Sequence, residues 1–89
     1  MKEQFTAYLV KQGYSLKTPG GHPSTAYDYP KRIDKVCEWE KTTWAGLADN
    51  ISVIVTQYDV GGIKQDYGAK SHRSVINALK RFSEFLSAI

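Results

Sequence analysis

The closing segment of the chain, residues 71–89, most constrains the fold, because its apolar residues recur with the period of an α-helix. The residues of this apolar stripe are Val75, Ile76, Leu79, Phe82, Phe85, Leu86 and Ile89. Ser71 stands before the stripe and is a typical N-cap residue. The spacing predicts a long amphipathic helix that has to bury one side against other helices.

Residues 2–12 form a second segment with a helical period. Phe5, Tyr8 and Leu9 lie on one face of this predicted helix, and Gly13 is a typical residue for ending it. Residues 14–23 follow with two prolines and two glycines, and we expect an ordered loop there.

A further helix is predicted to begin near Ser24 or Thr25, which are both good N-cap residues. Its apolar positions are Tyr29, Ile33, Val36 and Cys37. Pro30 conflicts with a helix interior but is tolerated in a first turn, where its missing N–H has no partner. Two starting points therefore stay open, one at Tyr29 and Pro30 and an earlier one with a kink at the proline.

Residues 43–58 are open to two interpretations. The β-branched residues within 51–55 favour a strand. A longer apolar pattern with helical spacing covers Leu47, Ile51, Ile54, Val55 and Tyr58. Because the helical pattern extends over more residues, we expect a third helix here, capped by Thr42 or Thr43. The double glycine at 61–62 is interpreted as the helix stop, in preference to a phosphate-binding turn.

Four amphipathic helices without a convincing strand predict an all-α fold, a small four-helix bundle that forms a single domain over residues 1–89. No apolar run approaches the ~20 residues that a membrane span needs. The polar first residues do not resemble a signal peptide. We therefore expect a cytoplasmic protein with no membrane association.

No arrangement in the sequence is typical of a catalytic or metal site. Cys37 is the one cysteine, and its apolar helical face predicts a buried packing residue. His22 and His72 have no nucleophile near them in sequence, and the spacing of Glu38 and Glu40 directs them apart. Zinc motifs and the phosphate-binding loop pattern are both missing. We expect no enzyme activity and no cofactor.

Positive charge is concentrated in the last third of the chain. Lysine and arginine outnumber aspartate and glutamate by 12 to 9, which gives a formal net charge of +3. Residues 1–59 are neutral overall, and residues 60–89 carry five basic against two acidic side chains. This distribution is typical of a surface that meets a polyanion, and equally of a solvated helix face.

The segment from Lys70 to Arg73 is the strongest candidate for a binding site. It lies at the predicted start of the closing helix, where free backbone N–H groups and the helix dipole attract anions. The side chains of Lys70, His72 and Arg73 add donors for phosphate oxygens. Asn77, one turn later, is suited to adenine if the helix enters a major groove. The alternative is an ordinary solvated helix start capped by Ser71.

Several aromatic residues are candidates for either packing or binding. Tyr27 is the more open candidate for stacking on bases or binding phosphate, whereas Tyr29 shares a register with Ile33 and is expected in the core. Trp39 and Trp44 are interpreted as anchors between the second and third helices, in preference to base-stacking platforms.

Three motifs follow one another along the chain. They are a Phe-x-x-x-Leu face over 5–9, a Thr-x-x-x-Tyr-x-x-x-Ile helix over 25–33, and a basic closing helix with Leu-x-x-Phe-x-x-Phe-Leu over 79–86. Together they resemble the core-binding (SAM-like) domain of tyrosine recombinases and phage integrases, over nearly the whole chain. The resemblance implies a SAM-like orthogonal bundle of four helices that clamps duplex DNA. The family's catalytic residues belong to a following domain, so it implies no catalysis by residues 1–89.

The resemblance also implies which residues contact DNA. From the second helix and the loop before it come Lys17, Thr18, Thr25, Lys31 and Arg32. From the last helix come Lys70, His72, Arg73, Asn77 and Lys80. The second helix departs from a basic DNA-binding face, because four acidic residues make it nearly neutral. These are Asp28, Asp34, Glu38 and Glu40.

These observations favour a non-catalytic module that binds the backbone of duplex DNA through its basic closing helix. One alternative is a small mobile-element protein that binds and inhibits a host nucleic-acid enzyme, a nuclease or a ribonucleoprotein, as anti-CRISPR proteins do. Another is a protein-interaction adaptor whose basic helix pairs with an acidic partner. An inhibitor that mimics DNA is disfavoured, because mimics need surplus negative charge.

Overall fold

The computed structural model describes residues 1–89 as six helices with no strand. The helices are α1 (Lys2–Lys11), α2 (Thr25–Glu40), α3 (Trp44–Asp49), α4 (Ile51–Tyr58), α5 (Gln65–Gly68) and α6 (Lys70–Ala88). The all-α fold class is confirmed, and the number of helices is corrected from four to six. The SAM-like orthogonal arrangement stays a prediction. None of the helices combines the length and the apolar character needed to span a bilayer.

The core forms where α1, α2 and α6 meet. The ring centroid of Phe5 lies 5.3 Å from that of Phe82 and 6.1 Å from that of Trp44. Fifteen hydrophobic side chains are buried, and no polar or charged residue is buried with them. The predicted stripe on the closing helix is confirmed over most of its length. At its end Ile89 is 79% exposed, which corrects the prediction for that residue.

α2 begins at Thr25, which decides between the two starting points left open by Pro30. The backbone N–H groups of Tyr27 and Asp28 donate to the carbonyl of Ser24 at 3.0 and 2.8 Å, and the helix continues through the buried Pro30. Ser24 occupies the N-cap position, but its side chain makes no capping hydrogen bond. The proline therefore sits one turn inside the helix, where its missing N–H leaves one carbonyl without its usual donor.

The predicted third helix is two helices. α3 ends at Asp49 and α4 begins at Ile51, with Asn50 between them at φ −119° and ψ 20°. The Asn50 side-chain amide donates to the carbonyl of Gly46 at 3.3 Å, a local bond that competes with continuation of the helix. The Thr43 hydroxyl accepts the Gly46 N–H at 3.1 Å and caps α3, as predicted. The choice of helix over strand at residues 51–55 is confirmed.

The double glycine follows the end of α4. Gly61 has a φ of +87°, which favours glycine. A Cβ on Gly62 would lie 2.3 Å from the carbonyl oxygens of Thr56 and Gln57, so only glycine fits against this helix end. Carbonyl oxygens are partially negative, and the turn therefore suits a helix stop rather than a phosphate site.

The start of α6 is a left-handed turn rather than the predicted right-handed helix. Ser71, His72 and Arg73 have φ of 55°, 56° and 67°. The Arg73 N–H donates to the carbonyl of Ala69 at 3.0 Å and closes the turn. Side chains other than glycine cost roughly 1–2 kcal/mol per residue in this region. The predicted N-cap role of Ser71 is wrong, because right-handed helix begins only after Arg73.

Candidate nucleic-acid interface

A cationic groove of about 430 Å³ lies between α2 and the start of α6. Its charged lining consists of Lys31, Arg32, Lys35, Glu38 and Lys70, and we call it the α2–α6 groove. Four cations against one carboxylate leave an excess of three positive charges. The structure therefore brings together three of the predicted DNA-binding residues, two from the second helix and one from the last.

One stripe on α2 carries two basic side chains between two aromatic ones. Tyr27, Lys31, Lys35 and Trp39 follow one another at intervals of four residues, which places them on one side of the helix. Lys35 and Trp39 are absent from the sequence-based site. The four-residue spacing was a signal that could have found them.

Two of the four acidic residues of α2, Asp34 and Glu40, are engaged away from the groove. Asp34 accepts the Trp44 indole N–H at 2.8 Å and pairs with Lys2 of α1. Glu40 accepts the Tyr58 hydroxyl at 2.7 Å and the Lys64 ammonium at 2.6 Å. The groove side of α2 is therefore more cationic than the helix total.

The pKa values of these two carboxyl groups report the same pairing. Partial burial alone would raise the pKa of Asp34, but the hydrogen bonds from Lys2 and Trp44 outweigh it and hold the pKa below its ordinary value. Burial likewise opposes ionisation of Glu40, and the hydrogen bonds from Lys64 and Tyr58 lower its pKa. Both groups stay ionised at neutral pH, each with its own internal partner.

Two groove cations have no carboxylate partner. The ammonium of Lys31 lies 5.0 Å from the ring centroid of Tyr27. The ammonium of Lys70 lies 5.4 Å from the ring centroid of Tyr67 and 5.9 Å from that of Trp39. Such contacts contribute about 0.5–1 kcal/mol at exposed sites. The other two groove cations are paired, Arg32 with Asp28 at 3.2 Å and Lys35 with Glu38 at 3.8 Å.

The cations of the closing helix are largely neutralised by carboxylates. Arg73 and Lys80, both assigned to DNA by the resemblance, lie beside the Asp59 carboxylate, at 3.9 and 3.2 Å. Arg81 pairs with Glu84 at 2.7 Å. With Lys64 bound to Glu40, only Lys70 among the five basic residues of the last third has no acidic partner. The closing helix therefore does not present a continuous cationic surface, which was one of the two interpretations that the charge distribution left open.

The carboxylate of Asp59, which pairs with Arg73 and Lys80, is held in place by a backbone hydrogen bond. It accepts the backbone N–H of Val60 at 2.8 Å. This bond, followed by the one from Lys80, lowers the pKa of Asp59. The carboxylate is thus a fixed anion at the end of α4, facing α6.

The predicted residues before and at the start of α2 lie at one end of the interface. Lys17 lines a cleft that also contains Tyr27, so it adjoins the α2–α6 groove through the Tyr27–Lys31 contact. The Thr18 hydroxyl accepts the N–H of His22 at 3.2 Å and is used within its own loop. Thr25 is half-buried as the first residue of α2.

The remaining predicted residues lie on α6. His72 is exposed within the left-handed turn. The N-terminus of the right-handed helix, on which the predicted phosphate site depends, therefore lies after Arg73 and not at Lys70. Asn77 is exposed, and its amide lies beside the hydroxyl of Tyr29. Tyr29 itself is partly buried against the core, as expected.

Both tryptophans anchor helices, as predicted. Trp44 ties α3 to α2 through Asp34 and packs its ring 5.3 Å from that of Phe82. Trp39 stacks on Tyr58 of α4 with ring centroids 6.4 Å apart and an interplanar angle of 18°. Trp39 also lines the α2–α6 groove, a second role that the sequence analysis did not assign.

The potential metal ligands and the thiol are separate from this surface. No three histidine, cysteine or acidic side chains lie together in a ligand arrangement. Cys37 is buried among apolar residues, as predicted, and burial, followed by the nearby Asp34 charge, raises the pKa of its thiol to about 11. The thiol therefore stays protonated at neutral pH.

Comparison of the chain with protein-family models, with curated proteins and with solved structures finds no significant match. The resemblance to integrase core-binding domains accordingly stays a prediction.

Proposed function

We propose that this protein is a non-catalytic module that binds the phosphate backbone of duplex DNA in the α2–α6 groove. The observation that carries the proposal is the meeting of Lys31, Arg32 and Lys35 with Lys70 from α6 around one groove. Phosphate oxygens accept charge-assisted hydrogen bonds from such groups, and neutralised phosphates release counterions.

Lys31 and Lys70 are the residues best prepared for this role. Each is exposed, and each is held only by aromatic faces rather than by a carboxylate. Binding a phosphate therefore breaks no ion pair of either lysine. Arg32 and Lys35 contribute less, because each has to share its charge with a carboxylate of the same helix.

The salt dependence of duplex binding tests the proposal directly. Three to four phosphate contacts predict a slope of log K against log salt of about −3 to −4. Removal of two contacts by the double variant K31Q/K70Q should weaken binding and reduce the slope by about 2. Fluorescence anisotropy with a labelled duplex at several salt concentrations measures both quantities.

A matched control separates the groove from net charge. Lys11 and Lys41 are exposed, line no part of the groove and have no ion-pair partner, so K11Q/K41Q removes the same charge elsewhere. We expect this control to bind nearly as well as the unchanged protein. Equal loss in both double variants, or no salt-dependent binding at low ionic strength, would overturn the proposal.

One observation favours a second candidate function, inhibition of a nucleic-acid enzyme through a protein contact. Val60 and Ile63 are 72% and 84% exposed on the loop between α4 and α5. Neighbouring exposed apolar side chains are typical of a surface that binds another protein. Pull-down after nuclease treatment tests it. Recovery of one partner, lost with V60S/I63S and kept with K31Q/K70Q, would support this function over DNA binding.

A further inference from the structure

A cluster of aromatic rings adjoins the α2–α6 groove. Trp39, Tyr58 and Tyr67 come from three helices, and the ring centroids of Trp39 and Tyr67 lie 5.0 Å apart with a 60° angle between their planes. Tyr58 is 1% exposed and forms the floor of the cluster, whereas Tyr67 is 44% exposed and forms its outer wall. The outer ring is thus partly exposed to solvent.

Charge around the cluster suits a neutral or anionic ligand. The three rings, Glu40 and Lys64 line a cleft of about 170 Å³. The Glu40 carboxylate accepts bonds from both Tyr58 and Lys64, so its charge is compensated internally. Lys70 places a second ammonium group over Tyr67 and Trp39. Two cations against one compensated carboxylate disfavour a cationic ligand here.

The cluster and the groove are continuous. Trp39 lines both, and Lys70 lines the groove while resting over the rings of the cluster. A phosphate in the groove attracts the Lys70 ammonium, which has no carboxylate to hold it back. Movement of Lys70 toward the phosphate would uncover the ring faces that it now covers.

We propose that an unpaired nucleobase stacks on the ring of Tyr67, with Trp39 against its edge, while the adjacent phosphate binds Lys70. This inference rests on the proposed function and specifies its ligand as DNA with unstacked bases, such as single strands, strand ends or bulges. Stacking tolerates any base, because every base has a π face. Fully paired duplex binds through the groove alone.

The ratio of single-strand to duplex affinity tests the inference. Tyr67→Ala should lower affinity for a short single-stranded DNA by about fivefold or more and leave a blunt duplex of equal length nearly unchanged. Tyr67→Phe keeps the ring and should retain both affinities. Val53→Ala is the control, because Val53 is an apolar residue of α4 with 56% exposure that lines neither the α2–α6 groove nor the cleft of the aromatic cluster. Thermal melting of each variant verifies the fold.

Tryptophan emission gives an independent readout. Single-stranded DNA should quench Trp39, and the quenching should disappear in Trp39→Phe, because Trp44 is packed against the core with its indole N–H bound to Asp34. Equal effects of Tyr67→Ala on both DNA forms, or an equal effect of Val53→Ala on the ratio, would overturn the inference. In those cases duplex binding that depends on Lys31 and Lys70 would still support the proposed function. If the unchanged protein binds neither DNA form, both the inference and the proposed function are overturned.

Discussion

The side-chain ammonium of Lys80 lies 3.2 Å from the carboxylate of Asp59. The same carboxylate lies 3.9 Å from the guanidinium of Arg73, so one acidic residue at the end of α4 partly neutralises two cations of α6. Both cations belong to the set that sequence resemblance assigned to DNA. Asp59 therefore competes with phosphate for them.

Replacing Asp59 should strengthen DNA binding. Asp59→Asn frees Arg73 and Lys80, and up to two additional phosphate contacts would steepen the salt slope by as much as about 2. Asp66→Asn makes the same change in charge at an exposed residue without an ion pair, and should steepen the slope little. Anisotropy titrations at several salt concentrations compare them. Identical slopes for the two variants would show that Asp59 does not mask its partners.

Glu40 should make stability depend on pH at acidic values. Because the folded protein holds the pKa of Glu40 below its ordinary value of 4.5, its contribution is complete above that pH and is lost as the pH falls through the lower folded pKa. At pH 7, Glu40→Gln should lower the free energy of unfolding by about 1.5–3 kcal/mol, since charged hydrogen bonds are lost. The difference should shrink well below pH 4.5. Urea denaturation across pH measures it.

Glu38→Gln is the matched control for that experiment. The Glu38 side chain is 68% exposed, and its ion pair with Lys35 is long, at 3.8 Å. Such exposed pairs contribute little, so the loss of this carboxylate should change stability little at any pH. A constant difference between Glu40→Gln and the unchanged protein at all pH values would contradict the linkage.

Gly68 should be intolerant of even one added methyl group. A Cβ at this position would lie 1.9 Å from the backbone carbonyl oxygen of Tyr58, and backbone cannot yield as a side chain does. Gly68→Ala should lower the free energy of unfolding by about 1–3 kcal/mol through overpacking. Gly20→Ala, where the nearest atom is 3.4 Å away on the His22 side chain, should be close to neutral. Similar melting temperatures for both variants would refute the close approach of α5 to α4.

His72 should report on the left-handed turn. With φ at 56°, a β-branched replacement is strained, and His72→Val should destabilise the protein by about 1 kcal/mol or more. His72→Gly relieves the strain and should be neutral or better. His22→Val changes the other histidine, which is not among the positive-φ residues, and serves as the control. Equal stability of the two valine variants would argue against a left-handed turn.

Local periodicity made much of the fold predictable. The stripe that includes Val75, Leu79 and Phe82 specifies α6 because neighbours on one helix face are only a few residues apart. The break between α3 and α4 at Asn50 was harder to predict, because the apolar pattern continues across it. The left-handed turn was not predictable, because none of Ser71, His72 and Arg73 is the glycine that a positive φ favours.

The candidate site was predictable in part for a related reason. The spacing of Tyr27, Lys31 and Lys35 is visible in the sequence. The net charge of α2 does not reveal a cationic side, because the acidic residues of the helix cancel its basic ones. The partners of Asp34 and Glu40, which are Lys2 and Lys64, lie in distant parts of the chain. Which charges cancel is therefore a property of tertiary contacts rather than of composition.

The charge excess of the α2–α6 groove has a consequence for the kinetics of encounter. The charged groove lining carries the same surplus, +3, as the whole chain, so all remaining residues sum to zero. Beyond the Debye length of ~10 Å in 0.1 M salt the field of the groove is screened, so its cations attract a polyanion only at shorter separations. If the groove binds a polyanion as proposed, its charge should speed association, and the association rate should fall as ionic strength rises.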